Sequence, residues 1–392
     1  MFSECEVIKI YGSVFNFVLL TDFSGMFFFF GPGYSNFKKK GMACSYVLPP
    51  KIKSDLEKSS RLFSVHTPFY QIKGNRKINC LDWSVPGNHL GVGLSSGVIG
   101  VWQIDDEKTV TYKKKRDFTT TRSSHKGGSV QSLSWNPNVH EEVCAGCDDH
   151  FVIVWDIRKK DPIHLISTNS IVVSVAYSKD GKYLAIADRT NTISVVDGRK
   201  YGVIYTQKSD CSIYSLKWSL NDNFIMASDK DGKIQIYSIK DSNGRVLSKK
   251  HSITCHNGSC YCFDISSNGQ YLATGGADGF VTLWDYKSLT CIKGIRREKP
   301  GCAVTSLSFS KDPTLLAVGT DSCDNNTFID IIHTQSQKSI HRISNKDMMI
   351  TAVKWHPKRA ILAFSDISGK DRESSHARDD SPSSVLVWNP KG

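Results

Sequence analysis

GFVTLWDY (residues 279–286) alternates apolar and polar residues up to a Trp-Asp pair, Trp284-Asp285. A period of two is the pattern of a strand whose two faces look into different surroundings. The same ending recurs in GVIGVWQI (97–104), HFVIVWDI (150–157) and SVLVWNP (384–390), at Trp102, Trp155 and Trp388. The other four of the eight tryptophans close a second kind of run that leads into a turn: NCLDWSVPG (79–87), VQSLSWNPN (130–138), IYSLKWSLND (213–222) and ITAVKWHPK (350–358), at Trp83, Trp135, Trp218 and Trp355. Chance placement would not sort every tryptophan into two kinds of position.

Aligned with its substitutes, the turn-side anchor reads Trp83, Trp135, Tyr177, Trp218, Ile265, Phe309 and Trp355, at spacings of 52, 42, 41, 47, 44 and 46 residues. Those are seven repeats. The second anchor follows 19 residues later at 102, 196, 237 and 284, and 20 later at 155. A period in the forties with a Trp-Asp ending is the signature of a WD40 β-propeller, one four-stranded blade per repeat. Asp180-Gly181, Asp231-Gly232, Asn268-Gly269 and Asp278-Gly279 supply the positive-φ positions that tight hairpins need. The predicted fold is therefore all-β, a seven-bladed WD40 β-propeller over residues 61–392, with no long amphipathic helical pattern. Closing the ring without a bare sheet edge requires one more strand, expected near 61–71 (RLFSVHTPFYQ) beside Val385–Trp388. The last repeat carries a polar loop insertion at 366–384.

Residues 1–60 fall outside the repeats and read as a non-propeller extension without ordered packing. VFNFVLLTDFSGMFFFFG (14–31) is interrupted by Thr21, Asp22, Ser24 and Gly25, short of a membrane span of about 20 apolar residues. Glu4 and Glu6 stand where a secretory signal would be basic. Twelve cysteines are scattered over 392 residues with a single C-x-x-C, Cys144 to Cys147. Without a second pair or a βαβ context they read as buried free thiols in a reducing compartment, with no metal and no cofactor.

The chain contains no G-x-S-x-G, P-loop or H-E-x-x-H motif. His125 with Asp149 and His256 with Asp278 resemble acid-base pairs, but they repeat in two blades and a catalytic site is needed once. They are read as blade-internal hydrogen bonds to the second anchors, with Asp231 keeping the Asp in a third blade.

Over residues 61–392 the chain resembles the family of THO complex subunit 3, the WD40 subunits of the THO/TREX mRNA export assembly. The likeness lies in GKYLAIADRTNTISVVDGR (181–199), GQYLATGGADGFVTLWD (269–285), FIDI (328–331) and TAVKWHPKRAILAFSD (351–366). It implies a nuclear, non-catalytic scaffold that couples transcription to mRNA export. Its implied partners are the other THO subunits, a DEAD-box RNA helicase and an mRNA export adaptor, with RNA contacted weakly or through them and no membrane. The alternative from another class is a ubiquitin-ligase substrate receptor or histone-peptide reader on the same propeller.

Net charge is +12. The excess collects in the outermost strands and the loops leaving them, as Lys113, Lys114, Lys115, Arg116, Lys249, Lys250, Arg296 and Arg297. These form a candidate rim for RNA backbone or an acidic partner segment. No interleaved aromatics mark a base-stacking platform, so a plain solvated rim is the simpler reading.

Overall fold

The structure is a computed structural model that describes residues 7–12, 15–21, 27–30, 49–62, 70–74, 76–104, 112–119, 128–239, 247–295, 302–321, 327–345, 350–367 and 383–388. Two compact units divide the chain, 1–48 and 49–392. In the first, Val7–Gly12, Phe15–Thr21 and Phe27–Phe30 form a three-stranded antiparallel sheet in sequence order. An extension without ordered packing is the expectation for this region, and the sheet departs from it. Its strands are rich in Val, Ile and Phe, the residue types that suit a pleated surface.

The second unit is a seven-bladed WD40 β-propeller of four-stranded antiparallel sheets. From the innermost strand outward, blade 1 is Ile78–Trp83, His89–Leu94, Val98–Ile104 and Tyr112–Thr119. Blades 2 to 6 begin at Val130, Val172, Ile213, Cys260 and Val304 and repeat the meander. Blade 7 is Val353–Trp355, Leu362–Ile367 and Ser383–Trp388, completed by Tyr70–Gly74 from before blade 1.

Strand register explains the two tryptophan positions. In every blade the first and second anchors flank one residue of the strand between them: Trp83–Leu90–Trp102, Trp135–Val143–Trp155, Tyr177–Leu184–Val196, Trp218–Ile225–Tyr237, Ile265–Leu272–Trp284, Phe309–Leu316–Ile332 and Trp355–Leu362–Trp388. Directly paired residues share a sheet face, so each row is a stripe across three strands, and its central aliphatic is fully buried. The rows face the preceding blade, giving seven apolar clusters, one per blade interface. All eight tryptophans are buried there.

Two boundaries differ from the sequence expectation. The closing strand is 70–74, overlapping the predicted 61–71 only at Tyr70 and Gln71. Arg61 and Leu62 instead end a helix, Pro50–Leu62, which belongs to the propeller unit and touches the outer strand Lys338–Asn345 of blade 6. Proline at its first position suits a helix start. Ile52, Asp55, Leu56 and Ser59, spaced three or four apart, form its half-buried face. With two aliphatics on that face, the helical period is too faint to read from sequence. The insertion expected at 366–384 is shorter, because Asp366 and Ile367 pair with Ser384 and Ser383 as strand; residues 368–382 lie outside the described residues.

Candidate functional site: blade locks, channel and rim

Blade 5 holds a complete internal relay. His256 Nδ1 lies 3.0 and 3.1 Å from the two Asp278 oxygens, and His256 Nε2 lies 2.8 Å from Thr274 Oγ1. Thr274 hydrogen-bonds Thr282, whose Oγ1 accepts the Trp284 indole N–H at 2.9 Å. The chain of bonds ties the loop entering the blade to its second and third strands. Burial pushes the His256 imidazole below its usual range, against the pull of Asp278. In the matching pair of blade 2, Asp149 lies in the turn after Glu142–Cys147 and His125 is outside the described residues.

Blade 4 replaces the relay, and Asp231 is not the residue that carries it. Asp231 accepts a 2.9 Å bond from Cys211 Sγ. The turn is held by the buried Asp229, which accepts the backbone N–H groups of Asp231 and Lys233 and, at 2.6 Å, the Gln235 amide. Gln235 in turn contacts Ser209 and the Tyr237 hydroxyl. Asp188 does the same in blade 3, accepting Thr190 and Thr192 N–H. The blade 5 residue at this register is Gly276, where a Cβ would stand 2.6 Å from the His256 ring. Histidine and an aspartate at the end of the second strand therefore exclude each other by volume. A spacing rule that looks only six residues before the second anchor picks the wrong aspartate in blade 4.

The residue preceding the first anchor forms a second set of locks in six of the seven blades, unforeseen from the sequence: Asp82, Ser134, Lys217, Asp264, Ser308 and Lys354, with Ala176 at this position in blade 3. Ser134 and Ser308 Oγ accept the backbone N–H of Tyr177 and Trp355 in the next blade, each at 3.1 and 3.0 Å respectively. Asp264 accepts Phe309 N–H at 2.7 Å and pairs with Lys217 across blades 4 and 5. Lys354 faces Asp82 at 3.6 Å across blades 7 and 1. Burial alone would lower the Lys354 ammonium, but the carboxylates of Asp82 and Asp264 raise it above its ordinary value. The anchors add a reciprocal bond, since the indole N–H of Trp83, Trp135 and Trp218 donates to the carbonyl of Lys354, Asp82 and Ala176 in the preceding blade. Trp355 has no such acceptor among the described residues. Asp264→Ala strands a half-buried Lys217 and an inner-strand N–H together, so urea unfolding should show a loss of about 2 kcal/mol. A Lys217→Met, Asp264→Leu pair should lose less, because no charge is left alone; equal losses would refute the pairing.

Blades 7 and 1 also meet at His356, which is buried. Its Nε2 is 3.0 Å from the Gly87 carbonyl, and its Nδ1 accepts Lys358 and Arg359 N–H, both at 3.0 Å. The ring packs edge-on to Trp83 at 4.9 Å.

The candidate rim is split between blades. Lys113, Lys114, Lys115 and Arg116 lie on the outer strand of blade 1, Lys249 and Lys250 on that of blade 4, and Arg296 and Arg297 lie outside the described residues. Lys249 pairs with Asp210 at 3.0 Å. Cys144 and Cys147 are buried in strand, which raises both thiols well above their ordinary range. Eight described cysteines are free thiols, whereas Cys302 is disulfide-bonded, contrary to the expectation of free thiols throughout. No His/Cys/Asp/Glu group suited to a metal occurs among the described residues. A shallow cleft of about 410 Å³ between the helix and blades 5 and 6 is lined by Ile52, Tyr271, Leu283 and Ile292, with Asp285 and three glutamines.

Comparison with known proteins agrees with this architecture. The WD domain, G-beta repeat model matches residues 247–285, a eukaryotic translation initiation factor eIF2A model matches 111–252, and an anaphase-promoting complex subunit 4 WD40 domain model matches 292–358. THO complex subunit 3 of Arabidopsis thaliana is 25% identical over 318 residues, covering 81% of this chain and 94% of the relative. WD repeat-containing protein AAC3 of Dictyostelium discoideum is 25% identical over 334 residues, covering 82% and 68%. The β-propeller domain of Cps50 (Swd1) from Myceliophteria thermophila superposes with a TM-score of 0.65 at 15% identity, covering 81% of this chain and 99% of that one.

Proposed function

We propose that this chain is a non-catalytic scaffold subunit of a THO-type nuclear complex that couples transcription to mRNP assembly and mRNA export. The observation that carries the reading is the similarity to THO complex subunit 3, which extends over nearly the whole length of that relative. The locks described above fit such a role. They join blades to one another and leave loops and outer edges available, as a rigid platform for partners requires. The partners are other THO subunits, together with the DEAD-box helicase and export adaptor of TREX. The basic outer strands of blades 1 and 4 serve as weak sites for RNA or acidic segments.

Tagged protein purified from nuclear extract in the presence of nuclease should carry THO subunits in stoichiometric amount. A nuclease-treated eluate without them would refute the reading. Recovery of a ubiquitin-ligase adaptor, or specific binding to a histone peptide, would favour the receptor class instead.

A further inference from the structure

The outermost strand of each blade has one unpaired edge among the described residues, and an unpaired edge is a template for any passing strand. Six of the seven carry charged residues, a short strand next to proline, or a covering helix. Blade 1 has Lys113–Arg116, blade 4 Lys249 and Lys250, blade 5 Lys293 and blade 7 Lys73. Blade 2 offers only four residues, His164–Ser167, just after Pro162. Blade 6 has Lys338 and Arg342 and is touched by the helix Pro50–Leu62.

Blade 3 lacks these protections and keeps only the bulge before its second anchor that blades 1, 4, 5 and 6 also have. Its edge, Val203–Lys208 (VIYTQK), is uncharged until its last residue and has neither proline nor a covering element among the described residues. It opens on two exposed aliphatics, Val203 at 53% and Ile204 at 39%. A register shift there sets Val196 opposite Val203 and Val195 opposite Tyr205, leaving Ile204 as the extra residue. The exposed cations Arg199 and Lys200 stand before the strand, and the exposed Lys208 ends it.

We propose that Val203–Lys208 is a strand-addition site for an extended segment of a partner protein, with β-branched or aromatic residues at its centre and Asp or Glu at both ends. Backbone pairing along the edge supplies affinity, and alternate side chains and the flanking charges supply specificity. The cations at both ends also argue against a second copy of this chain. Antiparallel self-pairing about a twofold would set Val203 against Lys208 of the other copy and bring Lys208 toward its Arg199–Lys200 turn, like charge against like. The exposed apolar side chains of the edge are aliphatic, and its one aromatic, Tyr205, is half-buried against the blade interface, which disfavours RNA, whose bases need open stacking faces. The inference rests on the chain being a binding scaffold, but not on which complex it serves.

The test pans a random peptide library displayed on phage against the purified full-length protein, with counter-selection on a Val203→Lys, Ile204→Lys variant whose unfolding midpoint is checked. Enriched peptides should alternate β-branched or aromatic residues between acidic ends. Made synthetically, they should bind the wild type about tenfold or more tighter than the variant, equivalent to about 1.4 kcal/mol. They should also slow amide exchange at 203–208 and lose binding when methylated on alternate backbone nitrogens. If the double variant unfolds, Arg199→Glu with Lys200→Glu tests the flank instead, with the same tenfold loss expected.

No enrichment, equal binding to both forms, protection elsewhere, or tolerance of backbone methylation would each overturn the proposal. A concentration-dependent dimer abolished by the edge substitutions would assign the edge to a second copy. Binding of a polyuridine oligomer abolished by them would assign it to RNA. Either result leaves the co-purification test of the proposed function unaffected.

Discussion

Propellers beginning at residue 70 and at residue 75 should differ in stability by about 4 kcal/mol, although they differ by five residues. Those residues are Tyr70–Gly74, which pair one for one with Val387 back to Ser383. At about 1 kcal/mol net per ladder hydrogen bond, the loss is a large fraction of the stability of an ordinary domain. The shorter chain also bares the edge of a strand whose Val385 and Val387 are buried, an invitation to aggregate. The closing strand tethers blade 7 to blade 1 through the chain itself, and the ring opens most easily where that tether is missing. Thermal unfolding with light scattering on the two truncations measures the difference directly. Equal midpoints and equal solubility would mean that the ring holds without its closing strand.

Much of this fold is legible in the sequence because propeller energetics are periodic. An anchor row must recur in every blade to fill every interface, so Trp83, Trp135, Trp218 and Trp355 announce themselves by spacing, and so does the Trp284–His256–Asp278 set. Features used once leave no period to read. The helix Pro50–Leu62 shows two aliphatics on its buried face, too few to stand out among Lys51, Lys53, Glu57 and Lys58. The closing strand is a lone five-residue segment, and with no partner visible in sequence its position slips toward the longer apolar stretch before it. Asp229 and Asp188 carry what Asp231 was expected to carry, because the choice depends on whether a histidine ring fills the space, a fact of volume rather than of spacing. The locks before the first anchors were readable in principle. Position by position, the residue before each first anchor is Asp, Ser, Ala, Lys, Asp, Ser and Lys, small or charged in every blade, yet its meaning needs the neighbouring blade in view.

The stretch Trp355–Arg359 sits on the seam between blades 7 and 1, and that seam should be acid-sensitive. Burial holds the His356 imidazole down at about 4, against an ordinary value of about 6.5, and Lys358 and Arg359 oppose its protonation further. Geometry gives the same direction. Nδ1 accepts two backbone N–H groups, so a proton there would set a donor against two donors. Because the folded value lies below the unfolded one, the unfolded chain takes up the proton first as pH falls. The His356 contribution is therefore complete above about pH 6.5 and is lost progressively between 6.5 and 4, at up to about 1.4 kcal/mol per pH unit. Between pH 7.5 and 5 the wild type should lose about 2 kcal/mol through this residue. His356→Leu cannot titrate and should lack that component, while at pH 7.5 it should already be weaker by about 3 kcal/mol, having orphaned the Gly87 carbonyl and two N–H groups. Gly87 is bound into the same seam, with φ of +83° and space for a Cβ only 2.3 Å from the His356 ring, so Gly87→Ala should reproduce the loss at pH 7.5. The other depressed histidines, His256 and His333, remain in all variants, so urea unfolding of the wild type and His356→Leu at the two pH values isolates the seam by difference. If the two proteins lose the same stability on acidification, His356 is not the group that makes the ring closure sensitive to acid.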